Sequence, residues 1–348
     1  MRKRTCLLVA IFISVCLWHG LERLILPNKG EIHKNGELSE IAKEVVAIPL
    51  ESVTGTPIKE VRDLYKEGDN LFLISRDILY RFNRKGEFIC RITNPKEIRV
   101  AGYMVDEVNR QLIVLGNIND IHYYDYEGNL LSKKKLRKDF DKQQLLSAIL
   151  YQNRIYTIEQ EQVEIADNKA QELLECHIGV YDTAFHPIGK RDLKAAELTH
   201  PVYVSEVENL DLHIHPATGD IYACSFPYLP DHLLRDTLYL SHISPEKRPD
   251  EVPLYPIQMG NRFWFAFNRH LEDASRHYTY CWDCRENQAW QINKGFKDDF
   301  YRSGYVTELS PMDLKGNQYF YCKNGEEVSR EFPDAADSTV VFIVNLKG

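Results

Sequence analysis

Apolar and polar residues alternate with a period of two along most of the chain. The alternating runs are short and are separated by Asn, Asp, Gly or Pro, which is the pattern of half-buried strands joined by tight turns. One unit recurs: an apolar run, an aromatic residue, Asn or Asp, a few polar residues, Gly, and a second run. It reads Ile78-Leu79-Tyr80-Arg81-Phe82-Asn83-Arg84-Lys85-Gly86-Glu87-Phe88-Ile89 and returns as Ile121-His122-Tyr123-Tyr124-Asp125-Tyr126-Glu127-Gly128-Asn129-Leu130-Leu131. Each copy predicts a β-hairpin in which Asn or Asp opens the turn and Gly supplies the positive φ that closes it.

Weaker copies follow at Val180-Tyr181-Asp182, Ile243-Ser244-Pro245-Glu246, Tyr280-Cys281-Trp282-Asp283 and Phe342-Ile343-Val344-Asn345. With Phe82, Tyr124, Tyr181, Ile243, Trp282 and Val344 taken as equivalent, the steps are 42, 57, 62, 39 and 62 residues. Their mean lies near the roughly 40–50 residues of a four-stranded propeller blade. Strand-turn-strand patterns between the hairpins, such as Val105–Val114 and Ile214–Ala223, bring the count to about four strands per unit. The expectation is an all-β, six-bladed β-propeller with four-stranded blades. The sequence ends at Gly348 inside the sixth turn, while Glu44-Val45-Val46-Ala47-Ile48-Pro49-Leu50 is an apolar strand without a hairpin partner. Pairing Val45–Leu50 with Val340–Leu346 would complete the last blade and remove an open sheet edge.

The first residues depart from this pattern. Arg2, Lys3 and Arg4 precede a 13-residue apolar run from Cys6 to Trp18. A spanning helix needs about 20 apolar residues, so residues 1–20 read as an export signal, with Cys16 as a candidate for lipid attachment. Residues 21–40 then read as a linker and 41–348 as the propeller, placing the protein in the periplasm or on the cell surface. The formal charge of −8 disfavours nucleic acid and anionic lipid, which need a positive field. Membrane contact is expected only through the N-terminal signal or lipid.

The lead Ile48-Pro49-Leu50-Glu51, followed by Phe82-Asn83-Arg84-Lys85-Gly86-Glu87-Phe88, resembles exported six-bladed propeller proteins of Bacteroidetes-type bacteria, related to the NHL-repeat propellers. The resemblance covers roughly residues 38–348, with its diagnostic residues in the first third. It implies a fold and export rather than a particular ligand. After Ile92 many relatives carry a Gly-rich stretch where this chain has Thr93-Asn94-Pro95-Lys96-Glu97.

Three constellations carry candidate chemistry. Asp211, His213 and His215 alternate along one strand, so they share a face and could ligate a metal. The repeat explains His215 without a metal, since it occupies the place of Asp106 in the other copy, and this reading outweighs the first. Cys281-Trp282-Asp283-Cys284 is a CxxC with no second pair, better read as a local disulfide or two unrelated thiols. Asn261–His270 is rich in aromatics. Its Phe263, Phe265 and Phe267 fit a core strand, which leaves Arg262, Trp264 and Arg269 as ligand-binding candidates.

No Walker loop, G-x-G-x-x-G, G-x-S-x-G or H-E-x-x-H is present, and no cofactor is expected. The leading expectation is a non-catalytic binding or scaffold module for a glycan, peptide or envelope protein. The alternative is a carbohydrate-active hydrolase or lyase over the central channel, which would need carboxylates converging there.

Overall fold

The computed structural model describes residues 32–34, 36–116, 120–136, 143–164, 172–198, 211–214, 221–224, 251–253, 257–270, 276–292, 295–312, 317–335 and 338–348. The first sheet is an antiparallel meander of Val61–Glu67, Asn70–Ser75, Ile78–Asn83 and Phe88–Arg91. The second repeats it with Val100–Asp106, Gln111–Gly116, Asp120–Asp125 and Leu130–Lys135. The third comprises Gln143–Tyr151, Arg154–Glu164, Glu172–Tyr181 and Pro187–Leu198.

A fourth, two-stranded sheet pairs Asp211–Ile214 with Ile221–Cys224. The fifth contains Phe263–His270, Arg276–Asp283 and Gln288–Gln291, with an interrupted first strand of Glu251–Pro253 and Ile257–Met259. In the sixth, Ser310–Pro311, Gln318–Asn324 and Thr339–Leu346 are completed by Ala42–Pro49. First strands of successive sheets approach one another, from the sixth to the first and on through the second, third and fourth. This is an all-β propeller. Among the described residues five sheets have four or more strands; the repeat copy at Ile243 lies outside them.

The ring closes as the hydrophobic pattern requires. Ala42–Pro49 runs antiparallel to Thr339–Leu346, with Val45 opposite Val344, Val46 opposite Ile343 and Ile48 opposite Val341. The near-continuous apolar run of the last strand follows from this position. It is a central strand whose two faces are both covered, so Val340, Phe342 and Val344 enter the cluster between the fifth and sixth sheets, while Val341 and Ile343 enter the one between the sixth and first. Asn70–Ser75 does the same: Leu71 and Leu73 face the sixth sheet, Phe72 and Ile74 the second. A further cluster joins the second and third sheets. The core is thus a set of apolar seams between blades, each removing alternate residues of two sheets from water.

Two features go beyond the sequence pattern. Within the stretch 21–40, read as a linker, Ile32–Lys34 adds a parallel strand to the outer edge of the fifth sheet. Leu38–Ile41 forms a helical turn whose Leu38 and Ile41 are fully buried in the seam between the fifth and sixth sheets. The third sheet has strands of 11, 10 and 12 residues where the first has 6, 6 and 4. Five extra residues extend a strand by roughly 15 Å.

Candidate functional site

The outer hairpin turns are pinned by the side chains that open them. Asn83 Oδ1 accepts the N–H groups of Lys85 and Glu87 at 2.9 and 3.0 Å, and Asp125 Oδ1 those of Glu127 and Asn129 at 3.0 and 2.7 Å. Asp182 holds Ala184 and His186, and Asp283 holds Arg285 and Glu286, in the same way. Gly86 and Gly128 have the positive φ expected of them, 85° and 86°. These bonds hold the Asp125 and Asp182 carboxyls below their ordinary pKa: at Asp125 they outweigh the opposing effect of burial, and at Asp182 the His186 N–H contributes most.

The same turns lock neighbouring blades together. Arg81 of the first sheet donates from Nη1 to the Tyr126 carbonyl at 3.0 Å. Tyr123 and Lys134 of the second donate to Thr183 O at 3.1 Å and Ala184 O at 2.8 Å in the third. Arg285 of the fifth reaches Gly348 O at 2.6 Å. Each is a side chain donating to a main-chain oxygen one blade away, so the Asp125 and Asp182 turns are held from a neighbouring blade as well as from within.

Buried polar groups enter several of the seams. Between the first and second sheets, Tyr126 is 1% exposed, with its ring edge-on to Phe72 at 4.9 Å and the guanidinium of Arg110 5.0 Å from its centroid. Its hydroxyl has no hydrogen-bond partner. Tyr65 and Glu67, two residues apart at the end of one strand, share the face toward the second sheet. Tyr65 Oη donates to Glu107 at 2.9 Å, and Glu67 accepts from Asn70 at 2.7 Å. Burial first, then the charges of Glu67 and Glu107, push the Tyr126 hydroxyl up to about 12.

On the third sheet's face toward the second, Thr157, Glu159, His177, Gly179 and Tyr181 are brought together by a register that sets Thr157 opposite Gly179 and Glu159 opposite His177. The buried Glu159 carboxylate accepts Thr157 Oγ1 at 2.7 Å, Tyr181 Oη at 2.5 Å and His177 Nε2 at 3.1 Å. Nε2–H donation fixes the imidazole tautomer and leaves Nδ1 as an acceptor, which has no partner. Glycine at 179 makes the space, because a Cβ there would lie 2.5 Å from Thr157 Oγ1 and 2.6 Å from Glu159 Oε1.

The residues singled out in the sequence are not gathered into one site. Arg262 closes a turn: its Nε lies 2.9 and 2.8 Å from the two Asp283 oxygens and its Nη2 2.6 Å from Oδ2. Trp264 is half-buried opposite Trp282. Arg269 pairs through its backbone with Val252 and Arg276. Phe263 and Phe265 are fully buried, as a core strand demands. Asp211 and His213 lie on the two-stranded sheet, whereas His215 is outside the described residues, as are residues 1–20 with Cys16. Cys281 is buried and Cys284 exposed, and they are separate thiols. Among the described residues no three His, Cys, Asp or Glu converge tightly enough to hold a metal ion.

Residues 21–145 match a family model described as a 6-bladed beta-propeller. The match covers the closing strand and the first two sheets of the propeller, including the Tyr126 seam. No curated protein matches the chain. Solved structures similar to it include BamB from Moraxella catarrhalis, at 12% identity over 87% of this chain and 98% of that one, with a TM-score of 0.34. The Pan2 WD40 domain of Neurospora crassa is 10% identical over 83% and 76%, with a TM-score of 0.36. The coronin WD40 domain of Toxoplasma gondii is 8% identical over 83% of this chain, which spans 56% of that one, with a TM-score of 0.33.

Tyr126 and Glu159 were not anticipated from the sequence. Tyr126 sits inside a turn motif, where an aromatic reads as incidental. A usable signal was that the equivalent places hold Arg84 and Thr183, neither of them aromatic.

Proposed function

We propose that this chain is an exported binding or scaffold propeller, of the six-bladed kind related to NHL-repeat proteins, that recognises a glycan, peptide or envelope protein. The observation that supports this reading is the cross-linked set of outer turns. Each described turn is fixed by its opening Asn or Asp, and three blades donate side-chain hydrogen bonds to the turn or chain end of a neighbour. A surface held this way loses little conformational freedom when it binds, so contact energy goes into affinity. The negative net charge fits partners other than nucleic acid.

The test is a thermal-shift screen of residues 21–348 against oligosaccharides and short peptides, followed by pull-down from the cell envelope. A ligand that binds only the folded state raises the unfolding midpoint. A saturable shift without turnover supports the reading; consumption of the bound compound would replace it with an enzyme. Export is tested by fractionation, where a cytoplasmic product that keeps residues 1–20 would refute it.

A further inference from the structure

The seam between the first and second sheets carries the next step, which rests on the binding reading above. Tyr126 Oη is a buried polar group without a partner, and leaving such a group unpaired has a cost that folding alone gives no reason to retain. Two carboxylates from different blades flank the seam: Glu67 shares a strand face with Tyr65, and Tyr65 Oη donates to Glu107 at 2.9 Å. Glu107 is exposed and Glu67 half-buried, so both remain open at the mouth of the seam. The nearer of two cations on the ring is the guanidinium of Arg110, on an exposed residue held at φ 51° in the turn beside Glu107.

We propose that this seam, formed by Tyr65, Glu67, Glu107 and Tyr126, binds a guanidinium or ammonium group of a partner peptide, and that Arg110 occupies the place in its absence. The donor inventory points to a cation. Two carboxylates and a phenol oxygen are acceptors, and a guanidinium offers five N–H donors in a fork that matches carboxylate geometry. Arg81, the other cation on the Tyr126 ring, is already committed to Asn70 Oδ1 at 2.8 Å and to the Tyr126 carbonyl at 3.0 Å. A neutral polyol would leave the two carboxylate charges uncompensated as water is excluded, whereas a cation offsets them. Arg110 is tethered to the turn, so a partner side chain that displaces it adds the contacts of its own backbone.

The experiment titrates the full chain with the peptide acetyl-Gly-Arg-Gly-amide and with its citrulline analogue, a neutral copy of the same shape, by calorimetry at low salt. The arginine peptide binds at least tenfold more tightly than the citrulline one. Glu67→Gln combined with Glu107→Gln reduces its affinity at least tenfold, and Arg110→Ala raises it several-fold by removing the competitor. Tyr126→Phe weakens binding while leaving the unfolding midpoint unchanged or higher, because the lost hydroxyl makes no bond within the protein. Equal binding of the two peptides, no binding of either, or arginine affinity indifferent to the double Gln variant would overturn the assignment. So would a calcium-dependent rise in midpoint without any response to arginine. These failures differ from failure of the broader reading, since a saccharide or envelope protein captured by the double Gln variant leaves the propeller a binder with its site elsewhere.

Discussion

Gly86 and Pro49 lie so close that a Cβ on Gly86 would stand 2.0 Å from the Pro49 carbonyl oxygen. Pro49 ends the strand that closes the ring, and Gly86 sits in the outer turn of the first sheet, so this contact is where closure meets the next blade. Gly128 repeats it against the Arg91 carbonyl oxygen, at 2.8 Å, one blade further on. These glycines therefore serve two ends: the φ of the hairpin turn, and the close approach of one blade to the next.

Gly86→Ala should cost about 3 kcal/mol or more, because it combines a left-handed backbone with a clash against main chain that cannot swing aside. Gly68→Ala is the matched control. It has a φ of 55° with nothing within 4 Å of the added methyl, so it should cost only about 1 kcal/mol. Urea denaturation of both variants decides it, and equal losses would mean that the inter-blade approach contributes nothing.

The Arg262–Asp283 pair predicts a pH dependence. Burial alone would raise the Asp283 carboxyl, but hydrogen bonds from Arg262 and from the Arg285 and Glu286 N–H groups outweigh it and hold the pKa below the ordinary value. A depressed folded pKa stabilises the native state above the unfolded value of about 3.9 and loses that contribution as pH falls through the folded value. With the Asp283 side chain 2% exposed, Asp283→Asn should destabilise by about 2 kcal/mol at pH 7. The gap from the unsubstituted protein should narrow below about pH 4. A constant gap across acid denaturation curves at pH 7, 4 and 3 would contradict this.

Leu38 and Ile41 test whether the segment before the closing strand is part of the fold. Both are fully buried, and the turn that carries them is tied down by Lys347 Nζ on Glu40 O at 2.8 Å and by the Ser39 N–H on Asp299 at 2.9 Å. Leu38→Ala and Ile41→Ala should each cost about 2–4 kcal/mol, as expected for core truncations. Truncation before residue 42 should lower the unfolding midpoint further. Wild-type stability in the truncated chain would reduce the segment to a tether.

Ring closure was legible because its signal is local. The apolar run from Glu44 to Leu50 has no hairpin partner of its own, which marks it for a distant strand, and it pairs with Thr339–Leu346. The turns were legible for the same reason, since Asn83, Asp125, Asp182 and Asp283 act within four residues of themselves. The helical turn at Leu38–Ile41 was not legible, because two apolar residues in a polar stretch do not make a pattern until the seam that receives them is known. The Glu159 network was hidden more deeply. Thr157, Glu159 and His177 alternate as solvent-facing residues would, and only the packing of the second sheet over them turns that face inward. The metal reading of His213 and His215 used the same alternation, and the described residues do not extend to His215.

That network gives the last prediction. Glu159 accepts three donors where it is itself buried, so removing it takes a hydrogen bond from each of three buried groups. Glu159→Ala should cost about 4 kcal/mol, combining the cavity with the hydrogen bonds lost by Thr157, His177 and Tyr181. Tyr181→Phe removes one donor and keeps the ring that packs on Phe185 at 5.5 Å, so it should cost only about 1 kcal/mol. Glu159→Leu combined with His177→Leu takes away both members of the hydrogen-bonded pair and restores apolar volume. It should therefore be less damaging than Glu159→Ala alone, although each single change is severe. Equilibrium unfolding of these variants, with Glu159→Leu and His177→Leu measured singly, gives the coupling. If the double variant loses the sum of its singles, the carboxylate and imidazole are not acting as a pair.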